Sequence, residues 1–308
     1  MTTRIFIDGA AGTTGLEIRE RLADRSEFEL LVLDEPSRKD ESARKEALHA
    51  ADMAILCLPD DAAREAVKLA EGSNTRIIDA SSAHRVTDGW TYGFPELIGY
   101  DKIAEAQFVS NPGCYSTGFL ALVAPLVRAG LLPADWPFTV NAVSGYSGGG
   151  TALIERFKSD PDIAFRTYGL DLAHKHRPEM KKYAGLIHGV IFSPSVVPAY
   201  RGMVVEVPLH LGAIDPDLTP AKIHTALCDH YGDSPIVMVR DGHELDELVL
   251  RENEAPSDTM ELYVFGNEGG YHARLIARLD NLGKGASGAA VQNLNIMCGL
   301  PETTGLRL

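Results

Sequence analysis

Cys114 stands in Ser110-Asn111-Pro112-Gly113-Cys114-Tyr115-Ser116-Thr117, where a Pro-Gly turn runs into an apolar, helix-like stretch from Phe119 to Val127. That order puts the thiol at or near a helix N-terminus. Free amides and the helix dipole there favour the thiolate, the form in which cysteine attacks carbon. The bland alternative is a buried structural cysteine, the commoner fate of the residue. Cys57, inside an apolar strand run, and Cys228 and Cys298, in helical patterns, receive that bland reading. A thiolate nucleophile needs a proton acceptor, and that base often needs an orienting carboxylate. His174-Lys175-His176-Arg177-Pro178-Glu179 offers both. His176 and Glu179 are three residues apart and share one side of a helical turn, and His174 lies two residues earlier. Zinc binding by the two histidines lacks helical i,i+4 spacing and a clear third ligand, so no metal is expected. A solvated basic patch would be preferred if Cys114 were absent.

Other stretches suit ligands. After the first strand pattern comes Gly9-Ala10-Ala11-Gly12-Thr13-Thr14-Gly15. Its glycines permit a tight turn and let a pyrophosphate approach the amides of a helix N-terminus. The spacing is GxxGxxG rather than GxGxxG, and its place between strand and helix carries the dinucleotide reading. The second strand run ends Leu33-Asp34-Glu35-Pro36-Ser37-Arg38-Lys39. Asp34 suits the ribose hydroxyl of NAD, whereas Ser37, Arg38 and Lys39 suit a 2′-phosphate, and NADP(H) is favoured. Ser144 to Thr151 (SGYSGGGT) offers amides and hydroxyls for a phosphate, or is only a flexible loop. Arg201, in Tyr200-Arg201-Gly202-Met203, suits a bidentate carboxylate contact. Asn111, Ser144, Gly145 and Arg201 are the candidate substrate contacts. Gly283 to Asn293 is a Gly-rich turn into a helix; Gly285 there suits close packing against a nucleotide or another helix.

Positioning these groups requires a scaffold. Arg4–Asp8, Phe28–Asp34, Asp52–Leu58 and Arg76–Asp79 read as strands, with helices over Thr13–Ala23 and Ala62–Ala70 between them. This β-α-β alternation predicts a parallel sheet covered on both faces. Farther on, Phe138–Ser144, Gly189–Val197, Met203–Leu211, Leu262–Phe265 and His272–Leu279 read as strands with fewer helices between them, an antiparallel or mixed sheet in a second domain. Ala286–Cys298 reads as a closing helix, and Asp241–Asp258 as the least structured stretch.

The chain has 308 residues, enough for two ordinary domains, and carries 43 acidic against 29 basic residues, a net charge of -14. Such a surface repels nucleic-acid backbones and anionic lipid, which makes both poor partners. No apolar run approaches the ~20 residues of a membrane span, and the N-terminus lacks a secretory pattern. The four cysteines form no CxxC pair, which points to a reducing cytoplasm.

As a set, these segments resemble the N-acetyl-gamma-glutamyl-phosphate reductase family, in particular its shorter (type 2) branch. The matching segments are GAAGTTG, DASSAHR at Asp79–Arg85, YGFPEL at Tyr92–Leu97, SNPGCYST, HKHRPE, YRGM and GKGASGAAVQNLN. Their order is similar to that of the aspartate-semialdehyde dehydrogenase superfamily. One departure is SGYSGGGT, where the longer branch carries a GVSGAGR-like sequence. The resemblance implies an NADP-binding Rossmann domain over residues 1–113, completed by 285–308, and a catalytic and dimerisation domain over 114–284. It implies NADPH-dependent reduction of an acyl phosphate, through a thioester on Cys114, to a semialdehyde and phosphate in arginine biosynthesis. His174 and His176 would supply acid and base, with His176 favoured because Glu179 can orient it. Arg201 would hold a substrate carboxylate, and Ser82 and Asn293 would line the cofactor site. A homodimer or homotetramer is expected. The competing readings are a sister reductase of another acyl phosphate, such as aspartyl phosphate, and a non-catalytic nucleotide sensor. A sensor should lack the nucleophile or its base, and this chain carries candidates for both.

Overall fold

The computed structural model describes residues 2–242 and 245–308. The chain divides into two compact units, one of residues 1–112 with 286–306, the other of 113–285 with 307–308. In the first unit, β1 (Thr3–Asp8), α1 (Thr13–Leu22), β2 (Phe28–Leu31), α2 (Glu41–Ala50), β3 (Met53–Leu56), α3 (Asp60–Leu69) and β4 (Arg76–Asp79) alternate. β5 (Thr91–Tyr92), α4 (Pro95–Ile98), α5 (Tyr100–Glu105) and β6 (Phe108–Ser110) complete this stretch. Among the described residues the strands form one six-stranded sheet in the order β2-β1-β3-β4-β6-β5. Every neighbouring pair is parallel. Period-two alternation sorts its side chains. Ile5, Ile7, Met53, Ile55 and Ile78 pack on one face with Ile18, Leu22 and the closing helix residues Val291 and Leu294. Phe6, Ala54, Leu56 and Ile77 pack on the other with Leu48 and Ala66. Order reverses at β1, which lies between β2 and β3, and such a switch point opens the ligand crevice of doubly wound sheets.

In the second unit, α6 (Cys114–Arg128), β7 (Thr139–Gly145), α7 (Gly150–Ser159), β8 (Arg166–Thr167), α8 (Arg177–Ala184), β9 (Ile191–Val197) and β10 (Met203–His210) come first. α9 (Leu211–Ile214), α10 (Pro220–Tyr231), β11 (Val237–Val239), β12 (Met260–Gly266) and β13 (His272–Leu279) follow. Among the described residues they build a mixed seven-stranded sheet, β11-β12-β13-β10-β7-β9-β8. Along β10, Met203, Val205, Val207 and Leu209 are buried, while Val204 and Glu206 are partly exposed and Pro208 and His210 exposed. α6 lies on the buried face, and Gly118 lets it approach: a Cβ there would stand 2.9 Å from the Val205 Cβ. α11 (Gly288–Met297) closes the chain as part of the first unit.

Several elements differ from the sequence expectation. The strand expected over Phe28–Asp34 stops at Leu31 because its pairing with β1 ends there, at Phe6. Ser144–Thr151 is not a free loop: Ser144 and Gly145 end β7, a 3-10 turn spans Tyr146–Gly149, and α7 starts at Gly150. Between β11 and β12 the described residues form neither helix nor strand, and His243 and Glu244 of the expected unstructured stretch lie outside them. No helix among the described residues is long and apolar enough to cross a membrane.

Candidate active site

In the second unit, Cys114 is the first residue of α6, capped by Gly113 in extended conformation. The cap residue's own N–H donates to Glu179 Oε2 at 3.1 Å. Glu179 is buried in the first turn of α8, so a carboxylate from one helix holds the start of another. The Ser116 hydroxyl adds a second tie, donating to the His176 carbonyl at 3.3 Å. A Cβ on Gly285 would stand 2.9 Å from the Cys114 Cβ, so only glycine fits without displacement. Burial works against ionisation of the other thiols. Burial pushes Cys57 up to about 12, helped by Asp79 and Asp8. Burial likewise raises Cys298 and Cys228.

His176 is the buried N-cap residue of α8. Its ring lies 4.7 Å from that of His174, and both rings contact Tyr115, at 5.7 and 5.8 Å. Burial raises the Tyr115 and Tyr168 hydroxyls, Tyr168 to about 12, and a negative charge on Cys114 would raise both further. The sequence reading missed this pair of tyrosines. Tyr115 adjoins Cys114 in SNPGCYST; Tyr168 carried no motif.

Around Ser144 the geometry corrects one expectation. The amides of Gly145, Tyr146 and Ser147 donate to the carbonyls of Gly202, Ala199 and Tyr200, at 2.8, 2.9 and 3.1 Å. Those three donors join the loop to the YRGM segment and are not presented to a phosphate. The Ser144 hydroxyl donates to the Gly145 carbonyl at 2.9 Å. Arg201 Nη1 pairs with Asp280 Oδ2 at 2.8 Å, with both side chains largely buried. Asp280 also accepts from the Leu282 and Ser257 amides. Asn281 bridges the same region, accepting from the Gly202 N–H and donating to the Ser147 hydroxyl. Asp280 and Asn281 precede the GKG turn and were not singled out from sequence.

In the first unit, Gly9 has φ +86, and a Cβ there would stand 2.3 Å from the Cys57 carbonyl oxygen. A Cβ on Gly15 would stand 2.4 Å from the Gly9 oxygen. Gly12 is the N-cap of α1, Thr13 and Thr14 begin it, and its first turn holds no acidic residue. That is an anion-receptive helix start. Beneath it Arg44 pairs with Asp8 at 2.9 Å. Asp34 accepts from the Ser37 N–H at 3.0 Å, and contacts to the Ser37 hydroxyl and then its amide hold its carboxyl below the usual range. Arg38 Nη2 donates to Glu35 at 2.7 Å. The Ser82 hydroxyl donates to Asp60, and within DASSAHR His84 meets Asp79 at 2.6 Å. Asn293 Nδ2 donates to the Gly93 carbonyl and to Asn111 Oδ1, while Asn111 Nδ2 donates to the Ala286 carbonyl. Asn111 therefore fastens α11 to the end of β6, and its amide is engaged at both atoms. Asn293 Oδ1 is buried and has no hydrogen-bond partner among the described residues.

Two family models match: the semialdehyde dehydrogenase dimerisation domain over residues 114–281, and the semialdehyde dehydrogenase NAD binding domain over residues 35–106. The chain is 53% identical to the N-acetyl-gamma-glutamyl-phosphate reductase of Brucella anthropi, over 97% of this chain and 99% of that one. It is 49% identical to N-acetyl-gamma-glutamyl-phosphate reductase 2 of Nostoc sp. strain PCC 7120, over 98% and 99%. Among solved structures, aspartate semialdehyde dehydrogenase II from Vibrio cholerae, complexed with ASA, superposes with a TM-score of 0.71. It is 16% identical, over 97% of this chain and 99% of that one. The enzyme with NADP from Candida albicans gives 0.68 at 14% identity, over 97% and 99%. At these identities the likeness is one of fold.

Proposed function

The chain belongs to the N-acetyl-gamma-glutamyl-phosphate reductase family of oxidoreductases, and on that premise we propose that it reduces N-acetyl-gamma-glutamyl phosphate with NADPH through a thioester on Cys114. The carrying observation is the placement of Cys114 at the first position of α6, with α8 and its His176 fastened to the same helix start. The Cys114 thiolate attacks the acyl carbon, the carbon–oxygen bond to phosphate breaks, and phosphate leaves with the bonding pair. NADPH, when bound, supplies the hydride that turns the thioester into a thiohemiacetal. His176 takes the thiol proton first and donates a proton to the carbonyl oxygen during reduction. It then removes that hydroxyl proton as the carbon–sulfur bond breaks, freeing N-acetyl-L-glutamate 5-semialdehyde and the thiolate. General acid–base transfer of this kind contributes about 10²–10⁴-fold. The reaction belongs to arginine biosynthesis in the cytoplasm, and the dimerisation-domain match supports a homodimer or homotetramer.

The first unit's residues fit a dinucleotide. Gly9, Gly12, Thr13, Thr14 and Gly15 would hold the pyrophosphate, and Ser37 and Arg38 the 2′-phosphate. Ser82 and Asn293 complete the proposed contacts in this unit. The buried Asn293 Oδ1 suits a donor such as a carboxamide N–H. Arg38 must exchange Glu35 for the 2′-phosphate. Arg38→Ala should weaken NADPH binding roughly tenfold, the lower end of a charge-assisted contact, and leave NADH binding near wild type. Fluorescence titration with both cofactors checks this; equal affinity of the wild-type protein for the two would return the ribose to Asp34.

On the substrate side, Arg201 and the Ser144 hydroxyl are the proposed contacts. A guanidinium can keep Asp280 on Nη1 and still offer further N–H groups to a carboxylate, a planar sharing that an ammonium cannot copy. Arg201→Lys should therefore raise KM for N-acetylglutamate 5-semialdehyde about tenfold while the NADP KM holds. An ordinary KM would leave Arg201 as the partner of Asp280 alone. The whole reading is tested by phosphate-dependent NADP reduction with a panel of semialdehydes. Higher kcat/KM for aspartate semialdehyde than for N-acetylglutamate 5-semialdehyde would overturn the assignment.

A further inference from the structure

His174 and His176 are both candidates for the base, and the hydrogen bonds around His174 separate them. The His176 backbone N–H donates to His174 Nδ1 at 3.2 Å. An amide N–H only donates, so Nδ1 carries a lone pair, and a neutral His174 bears its proton on Nε2. Nε2 lies 3.4 Å from the Tyr168 hydroxyl, which must then accept. Tyr168 turns its own proton to the Tyr115 oxygen at 3.2 Å. Tyr115 donates in turn to the Ser195 carbonyl at 3.4 Å, a group that only accepts. Both ends of the chain are backbone groups of fixed sense, so every link has one direction. Phe192 packs edge-on against His174 at 5.0 Å and against Tyr115 at 5.1 Å, which restrains both rings. Arg166 lies over the Tyr168 ring at 4.4 Å.

We propose that Tyr168 and Tyr115 are positioning residues that lock His174 as its Nε2-protonated neutral tautomer, so that His174 fixes the backbone of His176 and leaves proton transfer to His176. A proton arriving at Nδ1 would have to displace the His176 amide and set two donors face to face. A donor–donor contact of that kind forfeits the bond and leaves an unsatisfied group. His174 is thus the support and His176 the group that moves a proton. The consequence for catalysis rests on the thioester reading above; the tautomer itself does not.

Three measurements test this. Long-range proton–nitrogen NMR of histidine-labelled protein, with His174 assigned by substitution, should show Nε2 protonated and Nδ1 bare at neutral pH. An Nδ1–H tautomer or an imidazolium would overturn the lock. Tyr168→Phe removes the acceptor for Nε2–H. It should bring in the second tautomer and lower kcat about tenfold at unchanged KM; the wild-type tautomer and kcat in this variant would count against the proposal. His174→Asn retains an acceptor, Oδ1, near the place of Nδ1, whereas His174→Ala does not. The Asn variant should stay within about tenfold of wild-type kcat and the Ala variant fall below it. Equal, severe losses in both would make His174 the base. If the lock is seen by NMR while Cys114→Ser still turns over, the thioester reading fails and the tautomer assignment stands.

Discussion

Cys114→Ser should lose turnover on the order of 10⁶-fold, the scale seen when a nucleophile is removed from a catalytic unit, while NADPH affinity stays near wild type. The position explains the size. Cys114 opens a 15-residue helix, where dipole and first-turn amides favour an anion at sulfur. A serine hydroxyl there stays protonated at neutral pH and is a far poorer nucleophile without a dedicated base. NADPH affinity is spared because the glycine turn and α1 form within the other unit. Chemical labelling gives an independent check. Cys57, pushed up to about 12, is ionised to roughly one part in ten thousand at pH 8, and burial also raises Cys228 and Cys298. Iodoacetamide at pH 8 should therefore label Cys114 first, as read by peptide mass spectrometry. Preferential labelling of another cysteine, or normal turnover in Cys114→Ser, would remove the thioester from the mechanism.

What was legible in the sequence follows from how local each signal is. β1 and β4 read correctly because both sheet faces are buried, which leaves unbroken apolar runs such as IFI and II. β10 and β13 read correctly because one face is covered and the other is not, which leaves alternation: Glu206 on one strand meets Arg274 on the next at 2.8 Å. α2 escaped notice because its buried side is Arg44, Ala47 and Leu48, and a buried arginine breaks the apolar stripe. Its burial is offset by Asp8, 36 residues away, and by Glu65. α7 was hidden by its GlyGlyGlyThr start and by an apolar side reduced to Phe157.

The candidate site divides in the same way. Cys114, the histidines and the glycine turn lie in contiguous motifs and could be singled out. Their partners could not, because they come from distant segments: Glu179 reaches Gly113 across 66 residues, and Arg201 reaches Asp280 across 79. Part of the amide cradle expected over Ser144–Thr151 is already engaged, for a related reason. Composition reveals donors but not the Gly202, Ala199 and Tyr200 carbonyls that already accept from them. Glu179 shows most clearly what the fold adds. Sequence spacing offered it as the orienter of His176; the fold attaches it to the cap of the helix that Cys114 opens.

His176→Ala should lower kcat about 10²–10⁴-fold, the contribution of a general base, and Glu179→Gln should lower it less. A glutamine oxygen can still accept from the Gly113 N–H, though without the charge that complements the α6 terminus. If the thioester reading holds, both side chains serve the same thiolate, and the double variant should cost less than the product of the two losses, because a base contributes less when its nucleophile is misplaced. Turnover alone does not say through which partner Glu179 acts; alkylation of Cys114 does. In the His176→Ala background the base is gone, so any further slowing by Glu179→Gln must come through Gly113 and the start of α6. We expect slowing there, smaller than in the wild-type background. No slowing would mean that Glu179 acts through His176 alone, and fully multiplying kcat losses would mean that the two residues are independent. A double-mutant cycle in kcat, run beside the same cycle in iodoacetamide rate, separates these outcomes.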